Sequence, residues 1–150
     1  MAENSQSDPP LAPLTVRAFV KAPIEKAWRA YVGPEHLVRW NFASPEWHCP
    51  RATADLREGG ILSARMEAKD GSMGFDFEGR YTKVEPPHLL AYEFGGRHAT
   101  IRFYEEGEGT QVEVTFDPEQ QFPIEHQQAG WQAILENYAA HAAGWASAAE

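Results

Sequence analysis

The feature that most constrains this chain is a single long helix placed after a nearly unbroken run of strands. Residues 123–146 can be drawn as an amphipathic helix, with Trp131, Ile134, Leu135, Tyr138, Ala142 and Trp145 on one stripe. Gln128, Gln132 and Glu136 form a polar row on the same helix. Nearly everything between Ala52 and Phe116 has strand character. A lone helix after such a run can bury its stripe only across the concave face of a curved sheet. That arrangement tends to leave a space between helix and sheet, of the kind that holds a small molecule. Gly130 costs about 1 kcal/mol in a helix interior relative to alanine, and its place beside Trp131 suggests close approach to the sheet or to a partner.

The rest of the chain supplies that sheet. A strand is expected over residues 14–21, with Val16, Ala18 and Val20 on one side. Pro23 suits a first helical position, and Ile24, Ala27, Trp28 and Tyr31 recur at helical spacing. Gly33 stops that helix and Pro34 restarts it through residue 39, giving a two-piece element. Residues 40–47 are aromatic but aperiodic and read as a loop with its rings tucked inward. Strands follow over 52–57, 61–69, 73–84, 89–94, 99–104 and 111–116. Glycine or proline turns separate them, among them Gly59-Gly60, Asp70-Gly71, Pro86-Pro87 and Gly95-Gly96. Turns this short make the sheet an antiparallel meander. The expected fold is α+β, with about six to seven curved strands gripping a C-terminal helix. A polar, proline-rich tail is expected over residues 1–13 and a single domain over 14–150.

Composition narrows the function. With 43% hydrophobic and 12% aromatic residues the chain is globular. It has no stretch near the roughly eighteen apolar residues of a membrane-spanning helix, and its first residues lack the pattern of a secretory signal. Cys49 is the only cysteine, so no intrachain disulfide forms and a reducing cytoplasm is the expected setting. A net charge of −9 argues against nucleic acid and anionic lipid as partners.

Four local patterns carry a family resemblance. They are Ala22-Pro23-Ile24-Glu25-Lys26-Ala27-Trp28; Pro34-Glu35-His36-Leu37 leading to Trp40; Asp55-Leu56-Arg57-Glu58-Gly59-Gly60 followed by Gly79-Arg80-Tyr81-Thr82-Lys83-Val84-Glu85-Pro86-Pro87; and Gly130-Trp131 with Leu135 and Tyr138. In this order the sequence resembles the START-like (SRPBCC) superfamily with its helix-grip fold, over roughly residues 14 to 146. More narrowly it resembles the AHSA-like branch, named after the C-terminal domain of an activator of a heat-shock chaperone ATPase. The superfamily includes lipid and hormone carriers, polyketide cyclases and aromatases, and co-chaperone domains. The activator itself carries a further N-terminal domain that engages the chaperone. Only a short tail precedes the grip here, so chaperone stimulation does not follow from the resemblance. By position, the resemblance implies a ligand cavity lined by Trp40, Phe42, Leu56, Met66, Phe77, Tyr92, Phe103, Trp131, Leu135 and Tyr138.

Catalytic and metal signatures are absent from the sequence. The histidines at 36, 48, 88, 98, 126 and 141 form neither an H-x-x-x-H pair nor an H-E-x-x-H motif, so no helical metal site and no cofactor are expected. The lone Cys49 reads as a buried thiol. On the long fourth strand, Asp76, Glu78, Arg80 and Thr82 share one face and Phe75, Phe77 and Tyr81 the other. Burial favours the apolar face inward, which leaves the charged row solvated. The opposite orientation makes Glu78 and Arg80 an internal ion pair, and a bulge at Gly79 would switch faces midway. The leading expectation is a binder of a small apolar or aromatic molecule. The alternatives are a cyclase, aromatase or hydrolase drawing on Glu78, Arg80, Tyr92 and His98, and a protein-interaction domain. Trp145 near the chain end calls for cover, which a homodimer would supply.

Overall fold

Tight glycine turns dictate the sheet. At Gly95 and Gly96 the backbone takes φ of 60° and 81°, a conformation open to glycine at no steric cost, and the chain reverses there within two residues. The computed structural model describes residues 11–148. Its elements in chain order are β1 (Leu14–Val20), α1 (Ile24–Val32), α2 (Pro34–Trp40), β2 (Trp47–Ala54), β3 (Ile61–Ala68), β4 (Gly74–Glu85), β5 (Leu89–Phe94), β6 (Arg97–Glu106), β7 (Gly109–Phe116) and α3 (Ile124–Ala148). The seven strands form one antiparallel sheet in the order β1-β7-β6-β5-β4-β3-β2. The helix-grip α+β arrangement is therefore present. The tail expected over residues 1–13 falls, apart from Leu11 to Pro13, outside the described residues.

Period-two alternation sets the inner face. Leu90, Tyr92 and Phe94 of β5, Ile101 and Phe103 of β6, and Val112, Val114 and Phe116 of β7 are buried side by side. On β4, Tyr81 lies inward while Glu78 and Arg80 are exposed, so the charged row is the solvated one. The register shift on this strand falls between Tyr81 and Lys83, two residues beyond the expected place, and brings Val84 back onto the core. Gly79 has a different task. A Cβ there would lie 3.1 Å from the ring of Tyr92, so the glycine leaves room for that tyrosine.

The expected strand over 52–57 is displaced. β2 instead starts at Trp47 and ends at Ala54. Pro50 lies inside it, at a register shift between His48 and Arg51. Proline is tolerated because β2 is the outermost strand, where a missing N–H breaks no ladder. Its buried Cys49 packs with Ala64 and Met66 in a satellite core that Phe42 and Trp47 help to cover.

α3 is clamped by polar side chains as well as by packing. Leu135, Tyr138, Ala142 and Ala146 are its buried stripe. The polar row runs along the free edge of β1: Gln132 Nε2 donates to the Arg17 carbonyl at 2.8 Å and Gln128 Nε2 to that of Thr15 at 3.5 Å. These contacts occupy edge carbonyls that would otherwise be open to another strand. Asn137 Nδ2 donates to the Phe42 carbonyl at 2.7 Å, fastening the helix to the segment after α2. Gly130 makes no close approach, since a Cβ there would meet nothing within 4 Å. Trp145 finds part of its cover within the chain, against the His36 ring at 4.5 Å and under the Arg29 guanidinium at 5.3 Å.

Candidate functional site

Between α3 and the inner face of β3–β5 lies a cavity of about 310 Å³. α1 contributes Tyr31, α2 contributes Leu37 and Trp40, and β3 contributes Leu62, Ala64 and Met66. Phe77, Tyr81, Leu90, Tyr92 and Phe94 form the floor, and Trp131, Ile134 and Leu135 of α3 close the roof. Phe94 connects floor to roof, with its ring 6.1 Å from that of Trp131, and Trp131 in turn stacks on Phe116 at 4.0 Å and 7°. Phe75 reaches the rim and is 51% exposed.

Of the ten residues expected to line a cavity, Trp40, Met66, Phe77, Tyr92, Trp131 and Leu135 do so. The other four do not reach it. Phe42 belongs to the satellite core around Cys49. Leu56 sits in the β2–β3 connection and is 38% exposed. Phe103 is spent on packing against Trp28 and Tyr31, with ring centroids at 5.3 and 5.8 Å. Tyr138 lies behind the wall, between Tyr31 and Trp40, and donates its hydroxyl to the Ala27 carbonyl at 2.6 Å.

The polar groups of the cavity are few. Arg97 and Glu119 line it and pair with each other at 3.4 Å. Arg97 Nε also donates to the Asp117 carbonyl at 3.0 Å, and its guanidinium lies 4.6 Å from the centre of the Phe94 ring. Glu119 is held by Gln127 of α3, whose amide accepts from the Glu119 N–H and donates to the Glu119 carbonyl, both at 2.7 Å. The remaining polar side chains on the wall are Tyr31, Tyr81, Tyr92 and Asn41, with the indoles of Trp40, whose Nε1 donates to the Ala30 carbonyl at 2.9 Å, and of Trp131. Asn41 is engaged with Met66 Sδ at 3.5 Å. Burial pushes the pKa of all three phenols upward, that of Tyr81 to about 12, and neighbouring tyrosines add to the rise at Tyr31 and Tyr92. At neutral pH these groups are protonated hydrogen-bonding partners with no ready base among them.

The catalytic candidates disperse. Glu78 and Arg80 project from the outer face, with Arg80 opposite Glu93 of β5. His98 is exposed and sits 3.3 Å from Asp117 Oδ2. Tyr92 alone of the four lines the cavity. Burial raises the Cys49 thiol pKa, away from the reactive thiolate. One pair invisible to a motif search is His36 with His141: Nδ1 of the first lies 2.8 Å from Nε2 of the second, between α2 and α3. Burial lowers the pKa of both rings. Among the described residues no three or more His, Cys, Asp or Glu side chains cluster as a metal site.

Residues 21–143 match the family model described as "Activator of Hsp90 ATPase homolog 1-like protein". The chain belongs to this AHSA1-like family. Among solved structures it is similar to the AHSA1-like protein of Aeromonas hydrophila, at 41% identity and a TM-score of 0.81 over 86% of this chain and 90% of that one. A solution structure from Cytophaga hutchinsonii is 45% identical, with a TM-score of 0.76 over the same shares. A crystal structure from Rhodobacter sphaeroides, 23% identical over 93% of this chain and 94% of that one, shares the fold with a TM-score of 0.78. No functionally curated protein matches the chain. The AHSA1-like fold is START-like, with the long helix held in the curl of the sheet. No helix among the described residues is long and apolar enough to cross a membrane.

Proposed function

We propose that this AHSA1-like protein binds a small, mostly apolar or aromatic molecule in the space between α3 and the sheet. The observation that carries this is the cavity itself. Its volume of about 310 Å³ falls at the lower end of ligand pockets, roughly 300–1,000 Å³. Its walls are aromatic and aliphatic, with a handful of placed polar groups, the composition expected of a small-molecule site. A cytoplasmic setting fits the single buried thiol. An acid–base enzyme is less well supported, because Glu78, Arg80 and His98 lie outside the cavity. A partner-binding role, suggested by the family's description, would use an outer face instead.

Thermal unfolding of the purified chain against a panel of hydrophobic and aromatic metabolites tests the proposal. A specific ligand at a hundred times its Kd stabilises the native state by about 2.7 kcal/mol, or roughly 5–10 °C in Tm for a chain of this size. Native mass spectrometry should show one ligand per chain. A panel that moves Tm nowhere, with capture of a chaperone from lysate by the same protein, would favour the outer-face role.

A further inference from the structure

We infer that the hydroxyls of Tyr31 and Tyr92, backed by Tyr81, form a neutral hydrogen-bonding site for one uncharged oxygen of an otherwise apolar ligand. This inference rests on the binding function proposed above and specifies its ligand class: an aromatic or alicyclic alcohol or ketone.

Three observations support it. The first is placement. Tyr81 and Tyr92 face each other directly across the β4–β5 ladder, both on the inner side and only 1% and 6% exposed. Such cross-strand neighbours have their Cβ atoms about 5 Å apart. Tyr31 comes down from α1 onto the same cavity. The second is the lack of partners. Tyr138, whose ring is 4.9 Å from that of Tyr31, spends its hydroxyl on the Ala27 carbonyl. No comparable protein partner serves the hydroxyls of Tyr31, Tyr81 or Tyr92 among the described residues. Buried polar groups without partners are rare in native proteins and usually mark a place where something else binds. An alkane would leave all three hydroxyls unpaired, whereas a ligand hydroxyl or carbonyl accepts from them. The third is charge. The two charged side chains on the wall, Arg97 and Glu119, already pair with each other, so an ionised ligand would have to break that pair or lie uncompensated.

Calorimetry of the full chain with three probes of one shape tests this: 2-naphthol, 2-methylnaphthalene and 2-naphthoate. 2-Naphthol should bind about tenfold more tightly than its methyl counterpart, the worth of one buried hydrogen bond. In the Tyr31→Phe/Tyr92→Phe double variant that preference should shrink to within about twofold, with 2-methylnaphthalene bound as well as before. Tyr138→Phe should keep the preference, because its hydroxyl faces Ala27. Should the double variant not fold, Tyr92→Phe alone gives the same comparison. Equal affinity for 2-naphthol and 2-methylnaphthalene overturns the inference and leaves the binding function standing. So does a preference that survives the tyrosine variants, or 2-naphthoate binding tightest. Failure of all three probes to bind overturns the inference together with the function it rests on.

Discussion

Replacing Tyr138 with phenylalanine removes one oxygen and leaves the ring in place. The same exchange at Tyr31 does chemically identical damage 4.9 Å away, measured between ring centroids. The two outcomes should differ in size and even in sign. Tyr138 is fully buried, and its hydroxyl donates to the Ala27 carbonyl at 2.6 Å. Loss of that bond should cost about 1–1.5 kcal/mol, the upper range for a neutral hydrogen bond in a protein interior. With roughly 2–4 °C per kcal/mol at this chain length, Tm should fall by about 2–6 °C. Tyr31 is half-buried beside the cavity, and its hydroxyl gains no protein partner comparable to that of Tyr138. Tyr31→Phe should therefore leave stability within about 0.5 kcal/mol of the original, or raise it, because a buried polar group is relieved. Tyr92→Phe should behave as Tyr31→Phe does. Denaturant unfolding followed by tryptophan fluorescence, with m-values compared to exclude changes in the unfolded chain, resolves these differences. The reasoning fails if Tyr31→Phe costs as much as Tyr138→Phe. That result would mean the Tyr31 hydroxyl is already satisfied, and the ligand-facing role of the tyrosines would go with it.

Three further outcomes follow from the same structure. The buried tyrosines hold their protons more tightly folded than unfolded, so above pH 10 the unfolded chain ionises first. Stability should be intact below that pH and drop as pH rises, by up to about 1.4 kcal/mol per pH unit for each such tyrosine; denaturant midpoints between pH 8 and 11 would show it. His36 and His141 have the opposite sign. Burial lowers both, Arg29 and Arg39 add to the lowering at His36 against the pull of Glu35, and His36 and Arg39 add to it at His141. Their neutral forms are favoured by the fold, so stability should be full above about pH 6.5 and decline as pH falls, a slope that His141→Gln should reduce and that proton NMR titration of the two rings would locate. Gly130→Ala should stabilise α3 by roughly 0.5–1 kcal/mol, since the new methyl meets no neighbour within 4 Å; a loss of stability would show that the helix packs more closely there than described.

The fold was legible because its decisive signals are local. Turns such as Gly95-Gly96 announce themselves in two residues, and the alternation of Val112, Val114 and Phe116 fixes the inner face of β7 without reference to any other strand. Only the end of β2 was legible, in the strand expected over 52–57, because its first apolar positions, Trp47 and Cys49, are followed by a proline and a register shift that erase the period. The cavity was legible only in part. Trp131 and Leu135 lie on a helical stripe that must face the sheet, whereas the resemblance, which implied Trp40 and Tyr138 alike as lining, holds for Trp40 but not for Tyr138, which lies behind the wall. Tyr31 carries the helical spacing of a core residue, and nothing local distinguishes a ring that fills space from one that borders it. Arg97 and Glu119 meet only because Gln127 reaches back to hold the loop before α3. The His36–His141 contact joins positions 105 residues apart, beyond the range of any spacing rule.

The space under α3 persists for a reason visible in its attachments. The helix is anchored along β1 by Gln128 and Gln132, to α1 by Tyr138, to the end of α2 by Asn137, and to β7 through the stack of Trp131 on Phe116. Apart from the Asn137 bond to Phe42, in the segment after α2, these anchors lie on the β1–β7 side of the sheet or on α1. Across β3, β4 and β5 the helix approaches the floor through Trp131 beside Phe94, and Leu62, Ala64 and Met66 line the open space next to them. Closing the gap would require α3 to tilt off β1, at the cost of the hydrogen bonds that cover that open strand edge. The fastening of α3 along β1 and the short helices thus sets its distance from β3–β5. Enlarging Ala64 to leucine, which adds three carbons to the wall, should narrow the cavity and weaken ligand binding in calorimetry, while the anchors, and with them the fold, are retained.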